Sequence, residues 1–373
     1  MTEFDLGFST SLTRDVGAFK LLELPPELCK LVESSLESSS PLSFSIKGPS
    51  AGDAVLCTND RTYTIRSVVL SNTILVVTPP PASDSDDGNT VVIRDQVNEI
   101  LELTPTLPKL EKLATALKGR EYDDVADSEE TSPASEPIPG LTYATAQSVI
   151  QASDAELALA LRQRRILDIH GTLRPIAPTY LATILEAILN LLVGQALSAD
   201  AVPAAELAAT LADENEISRP VSAQVMGWFG EVRDGVWAMD VQGVVREIGL
   251  GILRQYKDEP IAEDPFVQKW KVAVGDTFEA AVSLALLSGN YLVSSQAGPL
   301  DSSDMLTYFP SSDLPVDPSS RFADLFLTRP RWKAEDIVPF LSDIAVSSKD
   351  RDKLLLKYAR AITDSQGLWY TKR

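Results

Sequence analysis

SRPVSAQVMGWFGEVRDGVWAMD, residues 218–240, sets Val221, Val225, Trp228 and Phe229 at i, i+4, i+7 and i+8 and then turns at Asp234-Gly235 into a short strand. The spacing predicts an amphipathic helix, and the turn predicts a hairpin after it. Two segments precede it. Tyr180–Leu197 is apolar nearly all round and reads as a central buried helix, and VPAAELAATLA (202–212) reads as a second helix with Pro203 near its start. Three helices and then a hairpin, within about 60 residues, is the order of a winged helix, a variant of the helix-turn-helix. The same ending occurs at IHGTLRPI (169–176) and at QGLWYTKR (366–373), so the module repeats.

The last copy reads as RFADLFLT (321–328), KAEDIVPFLSDIA (333–345) with a kink at Pro339, KDRDKLLLKYARAIT (349–363) as third helix, and DSQGLWYTKR (364–373) as wing. Ser153 and Glu156 form a capping box that opens a helix before the first hairpin. For Val241–Asn290 two readings stay open, a degenerate further copy or linker helices. Gly298–Ser320, with four prolines, reads as loop.

The first hundred residues read differently. PLSFSIKG alternates at Leu42, Phe44 and Ile46. DAVLCT, RTYTIRSVVL, TILVVT and TVVIRD follow, divided by turn signals at Gly48–Gly52, Asn59-Asp60 and Ser71-Asn72. LLELPPELCKLVES adds a short helix starting at Pro25-Pro26, and Pro105 opens a helical stretch through Leu117. The class is therefore α+β, a small β-barrel-like domain followed by tandem winged helices. The expected divisions are 1–103 for the β domain, 104–178 for the first winged helix with a disordered acidic insertion at 119–140, 179–257 for the second, and 258–373 for a C-terminal winged-helix region whose last repeat is 319–373. The insertion carries seven acids, one arginine and three prolines. Several strands are apolar on both faces, which predicts that Leu42, Phe44, Ile46, Tyr63, Ile65, Ile74 and Val76 meet another chain.

Charge is divided unevenly. The 373 residues carry a net −20, yet Arg321–Arg373 holds eleven Lys/Arg against seven Asp/Glu. An acidic body argues against general coating of nucleic acid or membrane, and a basic terminal module points to one local contact with an acidic partner. Lys349, Lys353, Lys357 and Arg360 are spaced for one helix face, and Lys372 and Arg373 extend the charge into the wing. With no base-reading constellation, this predicts sequence-independent contact with DNA phosphates. A protein contact or a solvated face would use the same residues.

Motifs for chemistry are nearly absent. Gly48-Pro49-Ser50-Ala51-Gly52 satisfies G-x-S-x-G, but a strand-like stretch follows it where a nucleophile elbow needs a helix. One histidine, His170, and two isolated cysteines, Cys29 and Cys57, offer no triad and no zinc spacing. No catalytic residue, metal or cofactor is expected. The opening MTEFDLGF is acidic where a signal peptide is basic, and the longest apolar stretch of interest, Ala187–Ala199, has thirteen residues, short of a membrane span. The expectation is a soluble intracellular protein without membrane contact.

Several stretches together resemble the DCC family, the sister chromatid cohesion subunit of the alternative replication factor C clamp loader. They are LLELPPEL (21–28), LSFSIKG (42–48), AVLCTNDRTYTIRSVVLSNTILVV (54–77), ILELTPTLPKLEKL (100–113), QASDAELALALRQRRILDIHGTLRPI (151–176), RFADLFLTRPRWKAEDIVPFL (321–341) and LLLKYAR (354–360). The polar residues of VLCTNDRTYTIR are the most specific, because a generic strand does not demand them. The resemblance implies a nuclear, non-catalytic adaptor. Its β domain would pair with a small partner subunit and the C-terminal tail of the large clamp-loader subunit. Its winged helices would reach towards the catalytic subunit of DNA polymerase epsilon and DNA, with the sliding clamp engaged indirectly and ATP hydrolysis left to other subunits. The competing readings are a tandem winged-helix scaffold of a non-replicative complex, such as an endosomal sorting or cullin-like adaptor, and a hydrolase built on Ser50.

Overall fold

A computed structural model describes residues 5–8, 19–38, 42–49, 52–79, 90–123, 140–295, 304–365 and 367–373. The chain forms two compact units, one of Met1–Leu110 with Gln147–Leu157 and one of Glu111–Ala146 with Ala158–Arg373. Both α-helices and β-sheets are present throughout, so the fold is mixed.

The first unit is built on one sheet. Strands β1 (Asp5–Phe8), β2 (Leu21–Glu23), β3 (Ser45–Lys47), β4 (Val55–Cys57), β5 (Thr62–Thr78) and β6 (Thr90–Thr106) accompany one helix, α1 (Pro26–Ser38). Their order is β1-β6-β5-β4-β3, with β2 also on β6. The strand at one end does not meet the strand at the other, so the sheet is open and the expected barrel does not close among the described residues. β5 and β6 form a hairpin arm of 17 residues a side, about 55 Å long at ordinary strand rise. Two expectations fail here. Ser71-Asn72 is not a turn between strands, because β5 continues through it with a register shift between Val69 and Ile74, so a turn-like dipeptide is absorbed as a bulge. Pro105 does not open a helix, since it pairs with Tyr63 near the end of β6.

At its base the sheet buries Leu28, Leu56, Tyr63 and Leu103. The start of the following helix is tied to this base by buried polar groups. Lys47 Nζ donates to the Ala152 carbonyl at 2.7 Å, and Gln151 Nε2 donates to the Asp53 carbonyl at 2.6 Å. The capping box forms as predicted, with Glu156 N donating to Ser153 Oγ and Ser153 N to Glu156 Oε2. Thr62 Oγ1 also donates to that carboxylate, so the cap doubles as the bond between sheet and helix start.

From Glu111 onward one order of elements recurs along the chain. Helix α2 (Glu111–Leu117), α3 (Tyr143–Val149) and α4 (Asp154–Gln163) precede the hairpin β7 (Ile166–Ile169) and β8 (Thr172–Pro175), and Tyr122 bridges Ile176. Next come α5 (Pro178–Gly194), β9 (Val202–Pro203), α6 (Ala204–Asn215), α7 (Arg219–Trp228), β10 (Gly230–Arg233) and β11 (Val236–Met239). Then α8 (Val241–Leu253), β12 (Ile261–Ala262), α9 (Glu263–Val274), two 3-10 turns within 279–287, β13 (Tyr291–Ser295) and β14 (Asp304–Tyr308). Last are α10 (Pro318–Thr328), β15 (Arg331–Lys333), α11 (Ala334–Ile337) with a 3-10 turn through Leu341, α12 (Ser348–Tyr358), β16 (Ala359–Asp364) and β17 (Gly367–Lys372). In each of the last three groups the final strand pairs with both the short first strand and its hairpin partner. Val241–Tyr308 thus repeats the order of its neighbours, and the stretch 298–320 read as loop contains β14 and the start of α10.

Turn chemistry explains two of the hairpins. His170-Gly171 and Asp234-Gly235 both take positive φ, 51° and 81° in each pair, the type I′ geometry that suits strand twist. His170 therefore serves a turn. Helix α5 buries Leu181, Ile184, Leu185, Ile188, Leu189 and Leu192, one face rather than its whole circumference. That face joins a continuous core running from Tyr122 to Leu306, while the last group has its own core around Phe322, Leu325, Trp332 and Phe340. Tyr122 was expected in a disordered insertion, yet it is buried and stacked by Arg174. The rest of that insertion, 124–139, lies outside the described residues, as does Ser50. Among the described residues no helix is long and apolar enough to cross a membrane.

Candidate functional site

Two surfaces stand out, and the first is the arm. β5 pairs with β6 along its length, but its other edge meets β4 only at Thr62–Thr64. From Ile65 to Thr78 that edge has no strand partner among the described residues, and its backbone donors and acceptors are open to addition of a further strand. Apolar side chains mark the same stretch, with Val69 80% exposed and Ile74, Leu75 and Val77 exposed as well. The residues read from sequence as partner-binding divide. Ile74 lies on this arm and is exposed, and Val76 is half-buried there. Phe44 and Ile46 are exposed at edge strand β3, Ile46 by 70%, and Leu42 just before it is half-buried. Tyr63, 1% exposed, and Ile65 instead pack into the chain's own core. Val69, Leu75 and Val77 were not among the residues named from sequence, although TILVVT was read as apolar on both faces, and on the arm adjacent Ile74 and Leu75 are both exposed.

The second surface is the basic C-terminal group, and here the predicted stripe comes apart. Lys349, Lys353 and Lys357 are exposed on α12. The helix ends at Tyr358, so Arg360 sits on β16 rather than on the helix, and Ile362 sits there too and is exposed. Arg373 caps the helix, donating from Nη1 to the carbonyls of Leu356 at 2.8 Å and Lys357 at 3.2 Å, where a cation also suits the helix dipole. Lys372 lies opposite Ala359, beside the helix end. Lys353 pairs with Asp350 at 3.0 Å.

Two aspartates hold the helix starts of this group. Asp350 accepts from Ser347 Oγ and Lys353, and those bonds keep its carboxyl below the usual range. Asp317 is lowered by the Ser320 backbone N–H and then the Ser320 hydroxyl. Depressed carboxylates stabilise above their unfolded pKa of about 3.9, so both caps should be intact above about pH 4 and lost as pH falls through the lowered values. Carboxyl NMR titration checks this. Midpoints at the ordinary aspartate value would show that the caps do not form in solution.

The other side of the same group is a sheet face that sequence reading did not find. Register places Arg331, Thr371 and Arg360 in one row across β15, β17 and β16, and Lys333, Trp369 and Ile362 in the next. Residues of the opposite parity, Trp332 and Tyr370, face the core. Trp369 is half-exposed, with the Arg331 guanidinium 4.3 Å and Lys333 Nζ 5.7 Å from its ring centroid. Asp364 accepts from Trp369 Nε1 at 3.0 Å and pairs with Arg331. The alternation Arg331, Trp332, Lys333 was the available signal, since period two around a tryptophan marks a strand with one wet face.

The family pattern described as Sister chromatid cohesion protein Dcc1 matches residues 19–341, ending before α12. The chain is 28% identical over 368 residues to Sister chromatid cohesion protein DCC1 of Xenopus laevis, covering 95% of this chain and 89% of that protein. The Homo sapiens protein of the same name is 26% identical over 357 residues, 92% and 86% of the two chains. That of Saccharomyces cerevisiae is 22% identical over 373 residues, 92% and 93%.

Proposed function

The chain belongs to the Dcc1 family of sister chromatid cohesion proteins, and from that premise we propose that it is a nuclear, non-catalytic adaptor of an alternative replication factor C clamp loader. In this reading the β5–β6 arm takes up the small partner subunit and the C-terminal tail of the large subunit. The repeated helix–strand groups are winged helices that connect the loader to the catalytic subunit of DNA polymerase epsilon and, through Lys349, Lys353, Lys357, Arg360, Lys372 and Arg373, to DNA phosphates. The sliding clamp is engaged indirectly.

The observation that carries this reading is the open edge of β5. An unpaired strand edge with exposed Val69, Ile74, Leu75 and Val77 is a template for strand addition, and a stable soluble chain ordinarily blunts such an edge with charge, proline or cover. Added strands from partner chains would supply the cover and could close the open sheet. The recurring order of helices and short three-stranded sheets supports the winged-helix part.

Co-expression tests the arm. Replacing Val69, Leu75 and Val77 together by Lys places charge on the exposed edge. Recovery of the small subunit and the large-subunit tail on a tagged chain should fall at least about tenfold, the equivalent of about 1.4 kcal/mol. The melting temperature of the isolated chain should hold or rise, because the three side chains are already exposed. Undiminished co-purification would remove the arm from the interface.

A further inference from the structure

We propose that Thr78 is a phosphorylation site for a proline-directed protein kinase, and that the Arg94 guanidinium receives the phosphate across the β5–β6 arm. Thr78 is the last residue of β5, and the exposed Pro79 follows it. Proline has no backbone N–H and fixes φ, so it stops the ladder there and leaves an extended Thr-Pro pair at the strand end. The threonine already has a cationic partner, since Arg94 Nε donates to Thr78 Oγ1 at 2.7 Å. Thr78 pairs with Val92, so Arg94, two residues further along β6, is its diagonal neighbour on the same face. The terminal nitrogens of Arg94 make no bond among the described residues. The carboxylates that follow on β6 are engaged elsewhere, Asp95 by the backbone N–H groups of Phe19 and Gln96, and Glu99 by Lys20 and Ser67. A half-buried guanidinium whose bonded partner is a neutral hydroxyl has donors to spare for phosphate oxygens.

ATP is the phosphoryl donor. Thr78 Oγ1 attacks the γ-phosphorus, the bond to the ADP oxygen breaks, and the hydroxyl proton passes to the base of the kinase. The product carries a charge of about −2 near neutral pH. On a chain of net −20 that charge needs a local cation, and Arg94 supplies it. The consequence is a clip at the far end of the arm. The ladder shifts register between Val69 and Ile74 and again between Val76 and Val77, so Thr78 lies beyond two interruptions. A phosphate on Thr78 replaces one neutral hydrogen bond with charge-assisted ones and joins the two strands past both shifts. Thr104-Pro105, the other such pair among the described residues, lies inside β6 opposite Thr64 and Tyr63, with no cation bonded to its hydroxyl.

Incubation of the full chain with a proline-directed kinase and ATP, followed by mapping of phosphate by mass spectrometry, tests the site. Thr78 should be modified, and Thr78→Ala should lack that phosphate while keeping any carried at Ser40-Pro41 or Ser132-Pro133. In a phosphorus NMR titration, the resonance absent from Thr78→Ala should show its second ionisation about one pH unit below the usual value of about 6, because a neighbouring cation favours the dianion. Arg94→Gln should return that midpoint to about 6, and Arg94→Lys should restore part of the shift. Glutamine still donates to the hydroxyl, so the unphosphorylated arm should keep its fold. Amides of Ile74 to Thr78 should exchange with solvent about tenfold more slowly once Thr78 carries phosphate, and Arg94→Gln should abolish that protection without preventing modification. A chain that takes no phosphate at Thr78 would overturn the proposal, whatever other sites accept. Phosphate at Thr78 that ionises at about 6 in both the native chain and Arg94→Gln would overturn the role of Arg94.

Discussion

Replacing Arg321 by Leu should lower the melting temperature of the C-terminal group by on the order of 10 °C or more. Arg321 lies in α10 with 1% of its surface exposed, and its guanidinium is spent on backbone. Nε donates to the Pro315 carbonyl at 2.7 Å, Nη1 to Phe340 at 2.8 Å, and Nη2 to Leu314 at 3.1 Å and Ser311 at 3.3 Å. Both terminal nitrogens also reach the Asp343 carboxylate. One side chain thus joins the loop before α10 to the 3-10 turn after α11. Leucine leaves those carbonyls without donors, at about 1–3 kcal/mol for each that stays dry, so a total of about 3–5 kcal/mol is reasonable after partial hydration. For a group of this size each kcal/mol moves the midpoint by about 4–8 °C. Lysine should not rescue, because an ammonium cannot present the same fork of donors. Asp343→Asn should cost less, since the Arg321 guanidinium keeps its four carbonyl acceptors and the asparagine amide oxygen can still accept from it. Near-ultraviolet circular dichroism follows the transition through Trp332, buried in the same core. A midpoint within 2 °C of the native chain would mean that the loop is held by apolar packing alone.

That network shows why local reading of the sequence reached some elements and not others. The Asp234-Gly235 and His170-Gly171 hairpins were legible because a type I′ turn is decided by two adjacent residues. The Ser153–Glu156 cap was legible for the same reason, although its second partner, Thr62, was not. Arg321 carries no local mark, and its partners lie up to 22 residues away along the chain. The same distinction explains the end of α12. Leu355, Tyr358 and Ile362 continue a helical period, yet Ala359–Asp364 gains a full ladder with Gly367–Lys372, and pairing outweighs propensity. Arg360 consequently moved from the helix stripe to the sheet face.

In the β unit the base was legible and the arm was not. RTYTIR and VLCT read as strands on their own, and they pack Leu56 and Tyr63 into a core as such strands should. Beyond Val69 the ladder is interrupted by a bulge, and Ile74 and Leu75, which point to opposite faces of the strand, are both exposed, as is Val77. A turn signal and a bulge use the same small polar residues, so Ser71-Asn72 supports either until its partner strand is known. Cys29 and Cys57 are free thiols. Burial pushes the Cys57 thiol up, which suits a packing residue rather than a nucleophile.

Glu247→Ala should unfold the joint between the first three helix–strand groups. Glu247 is on α8 and 7% exposed. One carboxylate oxygen accepts from Arg165 Nε at 3.1 Å and Nη2 at 3.0 Å, and the other lies 3.5 Å from Arg254 Nη2. Arg165 follows α4, and its guanidinium lies 4.2 Å from the Phe229 ring centroid beyond α7, so one ion pair touches all three groups. Burial lowers the pKa of that guanidinium and Glu247 raises it back, so the pair is what makes a buried cation tolerable there. Removing the acid leaves Arg165 charged, 17% exposed and unpaired, at a cost of about 3–5 kcal/mol. Arg254, more exposed, should rehydrate at little cost. The penalty belongs to the orphaned charge rather than to the bond, which sets a sharper test. Glu247→Leu combined with Arg165→Met should recover most of the stability lost in Glu247→Ala, because an apolar pair of similar volume needs no counter-charge. Urea unfolding of the two single variants and the double variant measures the coupling. If the double variant is as unstable as the sum of the singles, the joint depends on packing of the long side chains and not on compensation of charge.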